Sequence, residues 1–154
     1  MTEKQYNACV DKYSDGVFAY LVKNMQDKDS AKDVLQDSFI SLWNNRDKVE
    51  MTKSKSFLFT VAHNTMINTF NYNKIRQRNI ETEIITENKD FENKDMVNHL
   101  TGILPPKMKQ CLMLRDIEGF AYKEIAKMLN MTEENVKINI FRARVKMKEY
   151  AINI

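Results

Sequence analysis

The residues with most to offer chemically stand near the end of the chain, in 133-EENVKINIFRARVKMK-148, where Lys137, Arg142, Arg144, Lys146 and Lys148 crowd one short segment. Lysine and arginine at this density neutralise phosphates, and arginine can also grip a guanine edge with two parallel hydrogen bonds. At 100° per residue Val136, Ile140, Ala143 and Met147 share one side of a helix. The opposite side collects Glu134, Lys137, Ile138, Phe141, Arg142 and Val145, with Asn135 and Arg144 at its flanks. A helix that needs only solvation rarely exposes Ile138, Phe141 and Val145. A helix lying in the DNA major groove uses such residues, because apolar side chains meet thymine methyls while Lys, Arg and Asn reach phosphates and base edges. The preceding segment, 122-YKEIAKML-129, is amphipathic and ends at Asn130-Met131-Thr132. Thr132 is suited to cap the second helix, whose first turn carries Glu133 and Glu134 where the dipole favours negative charge. The pair reads as a helix-turn-helix. An ordinary helical hairpin with a charged surface, or a protein-binding use of the apolar outer residues, remains open at this level.

Other chemistry has little to rest on. Cys9, Cys111, His63 and His99 are isolated, with no partner at metal-ligand spacing and no nucleophile–base pairing. No glycine-rich phosphate loop or catalytic motif is present. No catalytic residue, metal or cofactor is therefore expected, and the cysteines read as buried or half-buried thiols of a reducing compartment.

The elements that must position these residues are helical. Three glycines and two prolines in 154 residues leave few strand-turn signals. No apolar run approaches the ~20 residues of a membrane span, and the N-terminus shows no export signal, which together predict a cytoplasmic protein without membrane insertion. Charge is distributed in blocks: −2 over residues 1–50, +5 over 51–79, −4 over 80–104 and +4 over 105–154. A first helix is expected from about Glu3 to Met25, then a break at Asp27-Lys28-Asp29. Ser30 reads as the cap of a second helix, with Asp33 completing a weak capping box. That helix buries Ala31, Val34, Leu35, Ser38, Phe39, Leu42 and Trp43, leaving Asp33, Gln36 and Asp37 on an acidic outer face. A third helix begins near Lys53, buries Phe57, Leu58, Val61, Ala62, Thr65, Met66 and Thr69, and ends in the basic, aromatic stretch 71-NYNKIRQR-78. The pattern predicts an all-α fold of two small helical domains, 1–79 and 93–154, joined by an acidic linker over 80–92. The second domain is expected to open with a helix over about 91–102. Pro105-Pro106 then starts another helix, which buries Met108, Cys111, Leu112 and Leu114 and stops before Gly119.

Laid out this way, the chain resembles the bacterial RNA polymerase sigma factors of the small, two-domain extracytoplasmic-function (ECF) type, from about Val10 to Tyr150. The resemblance rests on 31-AKDVLQDSFISLW-43, on 56-SFLFTVAHNTMINTF-70, and on LPP, EIA, VK and RAR in order within 104–148. It implies a non-enzymatic promoter-specificity subunit that binds core RNA polymerase and promoter DNA and helps melt it. Asp33, Gln36 and Asp37 would meet the polymerase. Asn64, Asn68, Asn71, Lys74, Arg76 and Arg78 would follow the minus-10 strand. Asn135, Lys137, Ile138, Phe141, Arg142 and Arg144 would face the minus-35 duplex. The resemblance also leaves room for an anti-sigma partner, and for a chain that is monomeric when free. The competing reading is a freestanding helix-turn-helix regulator, which leaves the first domain idle and normally requires a dimer. Phe57, His63, Asn68 and Asn71 depart from residues frequent in the family, and leave the minus-10 sequence preference open.

Overall fold

The computed structural model describes residues 1–79 and 103–152, with side chains through Lys74 in the first of these stretches. Among the described residues every regular element is helical. Helix α1 (Glu3–Met25) starts from a complete capping box, Thr2 accepting from the Gln5 amide while the Gln5 side chain accepts from the Thr2 amide. It ends at Gln26, which adopts the left-handed conformation. Helix α2 (Lys28–Asn44) corrects one expectation: Asp27, not Ser30, is its cap. The Asp27 carboxylate accepts from the Asp29 amide, and Ser30 lies inside the first turn, donating its hydroxyl to Asp27 at 2.8 Å. A charged acceptor satisfies the orphan amides of a first turn better than a hydroxyl does, which pulls the start of the helix back.

A 3₁₀ turn at Met51–Lys53 leads into α3 (Ser54–Asn79). These three helices pack on one another around Cys9, Val17, Leu21, Val34, Leu42, Leu58 and Met66. Tyr6 ties α1 to α2, donating its hydroxyl to the Phe39 carbonyl at 3.0 Å and meeting the Trp43 ring edge-on at 4.9 Å. Trp43 itself is only half-buried, with the Arg46 guanidinium over its face. Cys9 and Cys111 are both buried free thiols, and burial pushes the Cys111 thiol up to about 11.

The second lobe begins at α4 (Pro106–Leu112), with proline at its first position as expected. It continues as one π-helical turn over Met113–Ile117 and stops at Gly119, whose φ of +78° suits glycine. Helix α5 (Tyr122–Leu129) follows, ending at a left-handed Asn130, and then α6 (Glu133–Ile152). The core of this lobe is Cys111, Leu112, Leu114, Ile125, Ala126, Met128, Leu129, Val136, Ile140 and Ala143. The expected linker over 80–92 and the expected helix over 91–102 fall outside the described residues.

The two lobes touch. Lys55, Phe59 and His63, spaced by four along α3, form a second buried or half-buried stripe that faces the C-terminal lobe. Phe59 meets Phe120 edge-on at 5.3 Å. Lys55 Nζ donates to the Glu118 carbonyl at 2.7 Å and lies 3.5 Å from its carboxylate. On α4, buried Lys109 donates to the Lys23 carbonyl in the last turn of α1 at 2.9 Å. Sequence periodicity assigned α3 a single buried side and left out Phe59 and His63. The signal was the unbroken apolar run Phe57-Leu58-Phe59, wider than a one-sided stripe requires.

Candidate nucleic-acid and polymerase interfaces

Three helix faces stay open. On α2, Asp33, Gln36 and Asp37 are exposed at one-turn spacing, because Ala31, Val34, Ser38 and Leu42 take the opposite side into the core. Ile40 continues that outer row and is 56% exposed. Buried Ser38 needs no external partner, since its hydroxyl donates to the Val34 carbonyl one turn back.

On α3, Asn64, Asn68, Asn71 and Lys74 are exposed and fall within one face of the helix. Arg76 and Arg78 occupy the last turns of the same helix. Phe70 is half-buried against the core, whereas Tyr72 projects into solvent. The buried side of α3 holds this face outward from two directions, by the first lobe's core and by the seam with the second lobe. Within that seam His63 Nδ1 lies 3.0 Å from the Tyr20 hydroxyl. Burial, with the Lys107 ammonium adding to it, lowers the His63 pKa to about 4, so the imidazole is neutral at ordinary pH.

On α6, the Thr132 hydroxyl accepts from the Asn135 amide and sets the start of the helix as expected. Val136, Ile140 and Ala143 are buried against α4 and α5, which turns Ile138, Phe141 and Val145 to solvent at 38%, 68% and 38% exposure. The six residues expected at the duplex are not equivalent. Asn135, Ile138, Phe141 and Arg142 project freely into solvent. Lys137 instead reaches back over the Tyr122 ring, 5.4 Å from its centroid, and Arg115 occupies the same ring at 4.3 Å. Arg144 makes a two-pronged pair with Asp116 of the π turn, through Nε to Oδ2 at 3.2 Å and through its terminal nitrogen to Oδ1. That carboxylate raises the Arg144 pKa further through its hydrogen bond. Asp116 had no signal in the sequence, because the pairing joins residues 28 positions apart.

No group of three or more potential metal ligands occurs among the described residues, and no described helix is long and apolar enough to cross a membrane. A three-helix lobe with an acidic outer face and a polar, aromatic end, packed on a helix-turn-helix lobe, is the architecture expected of a helical transcription factor. Comparison with known proteins agrees in both lobes. The family descriptions "Sigma-70 region 2" and "Sigma-70, region 4" match residues 9–76 and 95–147. The ECF RNA polymerase sigma factor SigM of Bacillus subtilis is 27% identical over 145 residues, covering 88% of each chain. The ECF RNA polymerase sigma-E factor of Haemophilus influenzae is 27% identical over 165 residues, covering 92% of this chain and 85% of its own. Among solved structures, the sigma factor RpoE in complex with the anti-sigma factor NepR from Bartonella quintana superposes with a TM-score of 0.79 over 95% of this chain and 96% of its own, at 18% identity. CnrH, solved with the cytosolic domain of CnrY, gives 0.70 over 99% of this chain and 90% of its own, at 17% identity. The chain belongs to the sigma-70 family, in its ECF group, and is a promoter-specificity subunit of bacterial RNA polymerase. The freestanding-regulator reading accounts for α5 and α6 alone and is set aside.

Proposed function

We propose that the three open faces divide the work of promoter recognition. The outer row of α2, with Asp33, Gln36 and Asp37, docks on core polymerase. The outer face of α3, with Asn64, Asn68, Asn71 and Lys74, follows the minus-10 strand once it is unpaired, joined by Arg76 and Arg78 from the last turns of the same helix. Helix α6 enters the minus-35 major groove through Asn135, Ile138, Phe141 and Arg142, while Lys137 and Arg144 act nearer the lobe's own surface. The observation that carries this reading is the build of α6: its core side is buried by the lobe while its outer side presents aliphatic, aromatic and cationic groups together. Catalysis has no part in it. Binding energy does the work, and opening is driven by capture of unstacked bases, each costing a few kcal/mol to flip. The domains act as 1–79 and 93–154 with 80–92 between them, in a cytoplasmic protein that is monomeric when free.

An anti-sigma factor is part of the proposal. One solved structure of this fold was captured with an anti-sigma factor, and the exposed apolar residues of α6 offer a second use to a protein partner.

The test is Asp37→Arg, which reverses charge on an exposed position and leaves the core untouched. Helical circular dichroism should be unchanged while capture of core polymerase and run-off transcription are lost. Capture at parental strength would overturn the assignment of α2.

A further inference from the structure

This inference rests on α6 being the helix that enters the upstream groove, and it concerns what that helix reads there. Ile138 and Val145 are only 20° apart around the helix axis and run down the middle of the outer face, with Phe141 about 60° to one side and Arg142 about 40° to the other. Lys146 and Lys148 stand at opposite edges of that face. An apolar strip between two cationic edges matches the cross-section of a major groove, whose walls are phosphates and whose floor is base edges. Two carboxylates share the face. Glu134 is at the first turn, where it can accept from a cytosine amino group, and Glu149 is beyond the strip at the far end.

The floor of a major groove offers one apolar group, the thymine C5 methyl. Two cations that would otherwise crowd the strip are withdrawn, Lys137 onto Tyr122 and Arg144 onto Asp116. Hydrogen-bonded readout thus falls to Glu134 and Asn135 in the first turn and to Arg142, and the outward groups at the intervening positions 138 and 141 are hydrocarbon. We infer that Ile138 and Phe141 are specificity-determining residues that pack on thymine methyls, so that the upstream element bound by this chain carries A·T pairs beneath them. An acidic partner helix laid on the same strip is the alternative occupant. The cations on both edges favour the duplex, because a groove presents negative charge along two walls and a single helix along one face.

Thymine-to-uracil replacement tests this, since it removes the methyl and keeps every hydrogen-bonding group. The probe is a duplex selected from a random-sequence library by the full-length protein bound to core polymerase. It is resynthesised with uracil at each thymine of the upstream footprint in turn. Binding should weaken by roughly fourfold for each methyl that lies beneath Ile138 or Phe141. Ile138→Ala and Phe141→Ala, both at exposed positions that leave folding intact, should bind the thymine duplex more weakly and lose their sensitivity to uracil at the matching base. An upstream footprint indifferent to uracil, or variants with undiminished sensitivity, would overturn the inference and leave the groove assignment standing. Absence of any upstream footprint would overturn both.

Discussion

His63 shows how one residue can report on the whole arrangement. It lies in the seam between lobes, beside the Tyr20 hydroxyl and under the influence of the Lys107 ammonium from α4. Its folded pKa of about 4 lies below the ordinary 6.5, so the unfolded chain binds the extra proton between those values. Stability from this group is complete above pH 6.5 and drains away as pH falls toward 4. Urea unfolding at pH 7.5 and pH 5 should differ by about 2 kcal/mol from this residue alone. His63→Gln should lose that part of the difference, and an unchanged pH slope in the variant would sink the assignment. The Arg144–Asp116 pair of the second lobe is half-exposed on both sides, and solvent screening leaves such a pair little weight in stability. Its effect is to hold one guanidinium away from the outer face of α6. Neither residue's role was legible from spacing, because both arise from contacts between segments far apart in the chain.

At the scale of single helices, local chemistry sets the boundaries. Helix α6 begins where Thr132 caps it, and α4 begins at Pro106; both starts were readable because a cap and a proline act within one turn. The start of α2 lies three residues before the Ser30 cap that spacing predicts, at Asp27. Two candidate caps stood close together, and choosing between them depends on which carboxylate reaches which amide. Asp27→Ala should therefore destabilise the first lobe by about 1 kcal/mol, and Ser30→Ala by clearly less. Thermal or denaturant unfolding of the two variants side by side settles it, and the reverse order would restore Ser30 as the cap. The π turn at Met113–Ile117 had no sequence signal at all. It carries Met113 and Leu114 into the core while placing Asp116 at the surface, within reach of Arg144.

The whole molecule is held closed by a seam with mixed credentials. Phe59 on Phe120 is favourable, worth about 1 kcal/mol beyond the area it buries. Against it stand buried Lys109, whose ammonium donates to the Lys23 backbone carbonyl, and a buried Asn24 Oδ1 with no hydrogen-bond partner among the described residues. Such groups are costly, and they limit what the seam can contribute. Promoter elements centred at minus-10 and minus-35 lie ~85 Å apart along straight duplex at 3.4 Å per base pair. A closed chain of this length has a radius of gyration of about 15 Å and cannot reach both. Fluorophores placed on Thr2 and Lys148 should accordingly show high energy transfer in the free protein and a marked fall on binding core polymerase and promoter. Transfer that stays constant throughout would exclude separation of the lobes. Phe120→Ala should lower the transfer of the free protein before any partner is added.

What the sequence determined by itself was everything that repeats at short range. The helical periodicity, the Thr132 turn, the acidic row of α2 and the two-sided character of α6 all follow from neighbours within about one turn, and the order of motifs that marks the family is read directly along the chain. Tertiary structure alone decided the second buried side of α3, the withdrawal of Lys137 and Arg144 from the outer face of α6, the neutral state of His63 and the closure of one lobe on the other. Each depends on a group delivered from a distant segment, Phe120, Tyr122, Asp116, Lys107 and Glu118 among them. Periodicity records that a face must be covered, but the identity of the cover is a property of how the chain returns on itself.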